Sequence, residues 1–181
     1  MKYLICSDIH GDAAGAQAIL KAYEEERADK ILILGDILYH GPRNDLPAAY
    51  DPKRVISLLN DNKEKILAVR GNCDTEVDQM VLNFPILADY AFIETDGLRI
   101  FATHGHKINK NSDTPFAEFE ILLHGHTHIP AIEEFGNKNT YLNPGSVAIP
   151  KGGYAKSYAI LENRTFTVKS FDGSMLMSKT F

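Results

Sequence analysis

The chain has 181 residues, 44% of them hydrophobic and 24% charged. That length fits a single domain, residues 1–181, with a core large enough to need no covalent staples. Acidic residues outnumber basic ones 24 to 19, a formal charge of −5, which argues against a protein held on nucleic acid by general basicity. Two cysteines, Cys6 and Cys73, cannot build a disulfide framework. The opening apolar run meets Asp8 too soon for a secretion signal, and no window approaches ~18–20 continuous apolar residues. A reduced cytoplasmic setting without membrane contact is expected.

Residues 2–7 are a short apolar run with strand character. Asp12 can cap a helix to about residue 27, with Ala16, Ile19, Leu20 and Tyr23 at helical spacing. Residues 30–34, KILIL, form a second strand. Asp51-Pro52 reads as the cap and first turn of a helix carrying Val55, Ile56, Leu58 and Leu59. Residues 65–69, KILAV, give a third strand, and a helix over 74–82 follows. Alternating strands and helices imply parallel pairing.

The second half is antiparallel in character. Residues 90–95 and 98–103 flank Asp96-Gly97 as a hairpin. Residues 121–123 form a short strand, and 132–135 and 140–142 flank a turn at Gly136-Asn137. Residues 157–161, 165–171 and 175–180 are further strands. The fold predicted is α/β: two mixed sheets packed as a sandwich with helices outside. Residues 40–52 read as a long functional loop.

Polar clusters follow the strands. They are Asp8-Ile9-His10-Gly11, Gly35-Asp36, Arg70-Gly71-Asn72-Cys73-Asp74, Thr103-His104-Gly105-His106 and His124-Gly125-His126-Thr127-His128. All seven histidines lie in these clusters or, as His40, in the loop after Asp36. Carboxyl ends of strands are where open α/β sheets build sites. Imidazole and carboxylate donors without thiolate suit Mn²⁺, Fe or Zn²⁺. An aspartate bridging two metals ~3.5–4 Å apart suits phosphoryl transfer, in which hydroxide forms near neutral pH and phosphate oxygens are clamped. His106 and His124 read as supporting or packing residues, and Cys6 as a buried small hydrophobe. Arg43 is a candidate phosphate contact, with a loop-stabilising ion pair as the competing role. Lys107 is a further candidate cation, and Arg70 is expected to hold the Asn72 turn.

The series D-x-H, G-D, G-N-x-D, H-G-H and G-H-T-H-x-P resembles the calcineurin-like metallophosphoesterases, here at Asp8, His10, Asp36, Asn72, Asp74, His104, His106, His126 and His128. His40-Gly41-Pro42-Arg43-Asn44, Glu76-Val77-Asp78-Gln79-Met80 and Asn143-Pro144-Gly145-Ser146 through Gly153 resemble the small YfcE-type phosphodiesterases of that family. The resemblance implies a four-layer metallophosphoesterase fold and a first metal on Asp8, His10 and His128. It implies a second metal on Asn72, His104 and His126, with Asp36 bridging. Mn²⁺ is the metal it favours, with Zn²⁺, Fe²⁺ or Ni²⁺ as alternatives.

The implied activity is hydrolysis of small phosphodiesters by in-line attack of a metal-bridging hydroxide. Phosphomonoester hydrolysis and a non-catalytic scaffold role, as in the retromer subunit of this fold, are the alternatives. Larger family enzymes carry His after the ligand Asn; Cys73 stands there instead. General-acid help worth ~10²–10⁴-fold is then expected to be missing, with Asp74 and Cys73 left in supporting catalytic roles. The 143–146 loop is expected to support His104 or His126. The expected partners are a small phosphodiester and a second copy of the chain, as dimer or tetramer, and no stable nucleic-acid complex.

Overall fold

The computed structural model describes residues 1–113, 121–136 and 138–181. Six strands make the first sheet: β1 (Tyr3–Cys6), β2 (Lys30–Ile33), β3 (Ile66–Ala68), β9 (Ser157–Glu162), β10 (Thr165–Ser170) and β11 (Met175–Thr180). Their order is β11-β10-β9-β1-β2-β3. The second sheet runs β4 (Tyr90–Thr95), β5 (Leu98–Thr103), β6 (Ile121–Leu123), β8 (Asn139–Asn143), β7 (Ala131–Phe135). Both sheets are mixed. β1, β2 and β3 pair in parallel, as do β5, β6 and β8.

Burial on both faces explains the unbroken apolar strands. Leu4, Cys6, Ile31 and Ile33 pack with Ile19 of α1 (Ala13–Glu26) and Val55 and Leu59 of α2 (Pro52–Asn60). Tyr3, Ile5 and Leu32 pack instead with Ile100, Leu123 and Leu142 of the second sheet. Each fully buried Leu or Ile contributes about 1.5–3 kcal/mol. Together these contacts fix the two sheets face to face. The parallel strands then end at one edge, where the polar clusters lie.

The predicted hairpin at 90–103 and the strands at 121–123 and 175–180 match the structure residue for residue. Most other boundaries differ by one residue. Asn137, half of the predicted Gly136-Asn137 turn, lies outside the described residues. The third helix is much shorter than its predicted span of 74–82: α3 covers only Glu76–Gln79. Thr75 and Asp78 close a capping box, and Asp74 is drawn away into a buried network described below. Asp12 stands at the N-cap of α1, but its side chain makes no capping bond. Its carboxylate accepts instead from Lys156 at 2.6 Å. Asp51 does cap α2, accepting from the Arg54 amide at 3.0 Å.

The end of α1 is tied to the first sheet by charge. Glu26 accepts from Lys169 at 2.7 Å and from the Tyr158 hydroxyl at 3.0 Å, and Lys2 lies 3.7 Å away. Burial works to raise the Glu26 pKa, but these partners outweigh it and hold the carboxyl below its ordinary 4.5. A depressed folded pKa stabilises above the unfolded value and is lost as pH falls through the folded one. Urea unfolding of wild type and Glu26→Gln should therefore show a constant stability gap above pH ~5.5 that closes progressively below pH ~4.5.

Candidate metal centre

The loops at the sheet edge hold an unusual backbone. Asp8, His10, Asp36, His126 and His128 all adopt positive φ, between 47° and 65°. Left-handed backbone costs a non-glycine residue roughly 1–2 kcal/mol. Such strain persists where surrounding structure over-determines it, and it clusters at functional sites. Here the turns aim five side chains into one crevice. Gly125 is required for a packing reason: a Cβ there would meet Ser7 Oγ at 1.9 Å and Asp8 Oδ2 at 2.8 Å.

Three imidazoles are oriented by backbone carbonyls. His10 Nδ1 donates to Tyr39 O at 2.8 Å, His104 Nδ1 to Leu34 O at 2.6 Å, and His128 Nδ1 to Ile149 O at 2.6 Å. With Nδ1 committed, each neutral ring turns its Nε2 lone pair toward the crevice. His10 Nε2 lies 3.4 Å from His128 Nε2, and His128 Nε2 lies 3.3 Å from Asp8 Oδ1. Asn72 Oδ1 and His126 Nδ1 each lie 3.1 Å from His104 Nε2. Asp36 Oδ2 stands between the groups, 3.7 Å from His10 Nε2 and 3.5 Å from His104 Nε2. Asp8 Oδ1 is buried with no hydrogen-bond partner among the described residues. Donor atoms of Asp8, His10 and His128, and of Asp8, Asp36 and His104, each cluster within 4.8 Å and could hold a cation.

The electrostatics ask for positive charge. Burial works to raise Asp36 and Asp8, yet the neighbouring imidazoles, His104 beside Asp36 and His10 and His128 beside Asp8, hold both below the ordinary carboxylate range. Burial works to lower His104, yet Asp36 and Asp8 outweigh it and push it up to about 9. His126 moves the other way, lowered by burial and by its neighbour His104. Convergent lone pairs, an orphaned carboxylate oxygen and strained turns fit divalent metal ions.

Residues 1–165 match the calcineurin-like phosphoesterase superfamily domain. The chain belongs to this superfamily. It is 41% identical over 179 residues to phosphodiesterase YfcE of Escherichia coli, covering 99% of this chain and 97% of that protein. The solved structure of YfcE superposes with a TM-score of 0.89 over 99% of both chains. The probable metallophosphoesterase YsnB of Bacillus subtilis is 28% identical over 181 residues, with 95% of this chain and 91% of YsnB covered. Vps29 of Entamoeba histolytica, solved with Zn²⁺, shares the fold at a TM-score of 0.61 and 20% identity, over 99% and 97% of the chains.

This member of the superfamily is thus a metal-dependent phosphoesterase, and its other polar residues sort by place. Asp74 Oδ2 accepts from the Asp36 and Gly71 amides at 2.8 and 2.7 Å, and Oδ1 from the Ile37 amide at 2.9 Å. It ties the loop after β3 to the loop after β2 and fixes Asp36. Cys73 Sγ clusters with His10 and Asp36 and accepts from Asn72 Nδ2 at 3.1 Å. Burial and then Asp36 push its pKa up. Arg70 holds the turn through the Asp74 carbonyl at 3.1 Å. Lys107 is drawn to Asp89 at 3.0 Å. His124 stacks on Tyr141 and donates to Gly125 O, and His106 packs beside His104.

The 143–146 loop, expected to support His104 or His126, reaches the segment of His126 and also Asp8. Ser146 Oγ donates to Asp8 O at 3.1 Å, and Asn143 Nδ2 donates to Gly125 O at 2.9 Å. It braces Asp8 and the loop that carries His126. Beside the centre lies a cavity of about 490 Å³ lined by Asp36, Arg43, Asn72, Cys73, His128 and Lys151, among others. Lys151 lies in the 143–153 stretch that carries the family resemblance, but no role is assigned to it there. Asp74→Ala would leave three buried amides without an acceptor, so unfolding in urea should show a loss of about 3 kcal/mol. Asp74→Asn, which keeps an acceptor, should lose less.

Proposed function

We propose that this chain is a dinuclear-metal phosphodiesterase acting on small phosphodiesters. The observation that carries the reading is Asp36 Oδ2, set midway between two imidazole groups at 3.7 and 3.5 Å. In this reading Asp8, His10 and His128 hold one ion, Asn72, His104 and His126 hold the other, and Asp36 bridges. The ions, Mn²⁺ by the resemblance to the YfcE-type enzymes, would supply Lewis acidity toward phosphate oxygens and an activated water. Relatives named as phosphodiesterases support the substrate class.

The chain's own residues then set orientation and limits. Backbone carbonyls of Leu34, Tyr39 and Ile149 keep three imidazoles turned toward the ions. Asp74 acts as a positioning residue through its three amide bonds. Protons held by the centre, above all on His104 below pH ~9, must leave as ions bind, so metal uptake strengthens with rising pH. Cys73 cannot serve as an efficient acid near neutral pH, because its thiol is held protonated far above that range. The leaving group must therefore depart as a reasonably stable anion.

The test uses bis-p-nitrophenyl phosphate and p-nitrophenyl phosphate with metal-stripped protein. Added Mn²⁺ should restore diester cleavage, weak on the monoester, and Asp36→Ala should lose roughly 10³-fold or more. A better monoester rate would make the protein a phosphatase; metal binding without turnover of either would favour a scaffold. Cys73→His should raise turnover of diesters with alkyl leaving groups by roughly 10–100-fold and change p-nitrophenyl release little. Equal effects on both leaving groups would remove the acid-catalysis account.

A further inference from the structure

The cavity beside the centre has two cations on its wall. Arg43 comes from the loop after β2, in the stretch whose Gly41 approaches Cys73 Sγ. Lys151 comes from the loop after β8, where its amide donates to His128 O at 3.1 Å. The two side chains thus rise from separate segments, one on the Cys73 side and one on the His128 side. In this acidic chain other lysines are neutralised: Lys107, Lys156 and Lys169 meet carboxylates at 3.0, 2.6 and 2.7 Å. Arg43 and Lys151 meet no carboxylate among the described residues.

A simple diester does not require them. Two divalent ions bring four positive charges, and Asp8 and Asp36 cancel two. A phosphodiester and the hydroxide nucleophile would balance the remainder. Two additional unpaired cations facing the same cavity leave positive charge unmatched. A planar guanidinium fork and an ammonium suit a further phosphate or carboxylate. A cavity of about 490 Å³ has room for a group beyond the scissile phosphate.

We propose that Arg43 and Lys151 form a distal anion pocket, so that the substrates are phosphodiesters carrying a second anionic group, phosphate or carboxylate, on the arm retained after cleavage. This rests on the diesterase reading above and narrows its substrate class. The pocket acts on recognition, so its signature is a ranking among arms and not the rate on any one of them.

The experiment compares p-nitrophenyl phosphodiesters that share one leaving group and differ in the second arm: choline, ethyl, 2-carboxyethyl and 2-phosphoethyl. With Mn²⁺ enzyme, kcat/KM should rise about tenfold from ethyl to the favoured anionic arm, and choline should be poorest. The carboxylate and phosphate arms identify which anion is read. Arg43→Met and Lys151→Met should each shrink the anionic-to-ethyl ratio about tenfold. Non-hydrolysable phosphonates bearing the same arms, titrated by calorimetry, should show the same ranking in Kd and the same loss in the variants. Both substitutions are at exposed positions, and unchanged melting temperatures would confirm intact folding. Equal turnover and binding of ethyl and anionic arms would overturn the pocket while leaving the diesterase reading standing. A variant loss uniform across all arms, or preference for p-nitrophenyl phosphate, would assign the cations to the scissile phosphate and overturn it as well. Absence of metal-restored cleavage on every diester would instead overturn the reading on which it rests.

Discussion

Two carboxylates, Asp8 and Asp36, are buried in the same crevice, and that placement governs the rest of the molecule. Burying anions is costly unless cations and hydrogen bonds compensate. Each neighbouring feature supplies part of the compensation. Imidazoles stand against both carboxylates, the Cys73 amide donates to Asp36 Oδ1 at 2.8 Å, and the His126 amide donates to Asp8 Oδ2 at 3.0 Å. Asp8 Oδ1 has no hydrogen-bond partner among the described residues, and it faces the imidazoles that would share a cation with it. Charge demand, not shape, therefore defines the centre.

Meeting that demand requires a particular backbone. Left-handed turns at Asp8, His10, Asp36, His126 and His128 are unfavourable in isolation. They are held by ties between loops: Asp74 across β2 and β3, Ser146 onto Asp8, and Asn143 onto the loop after β6. The two apolar layers supply the stability against which this local strain is set. Core, braces and site form one chain of dependence, with the hydrophobic layers at its base.

Much of this was legible in the sequence because period and punctuation are local. The alternation around Asp96-Gly97 located a hairpin to the residue, and the apolar runs KILIL and KILAV marked strands covered on both faces. The polar clusters announced themselves by following strands. What escaped depended on distant partners. Asp12 has the composition of a helix cap, but Lys156, 144 residues later, takes its carboxylate. Asp74 looked like the start of a helix, but backbone amides from two loops draw it inward, leaving α3 a single turn. Lys151 sits in a motif-like stretch that gives it no role by itself, and only the closing of the sandwich sets it on the same cavity as Arg43.

The centre also draws on widely separated parts of the chain. Asp8 and His10 lie at one extreme, while Ile149 O orients His128 and Ser146 grips Asp8. β9 then zips against β1 in antiparallel register, sealing the strand from which Asp8 emerges. During synthesis the early segments therefore expose isolated donors long before the opposing wall exists. A nascent chain ending just short of residue 146 already carries every donor proposed for the centre, but it lacks the Ser146 tie to Asp8 and the Ile149 carbonyl that orients His128. A preorganised cluster of donors is therefore a property of the finished fold, reached once β9 has docked on β1.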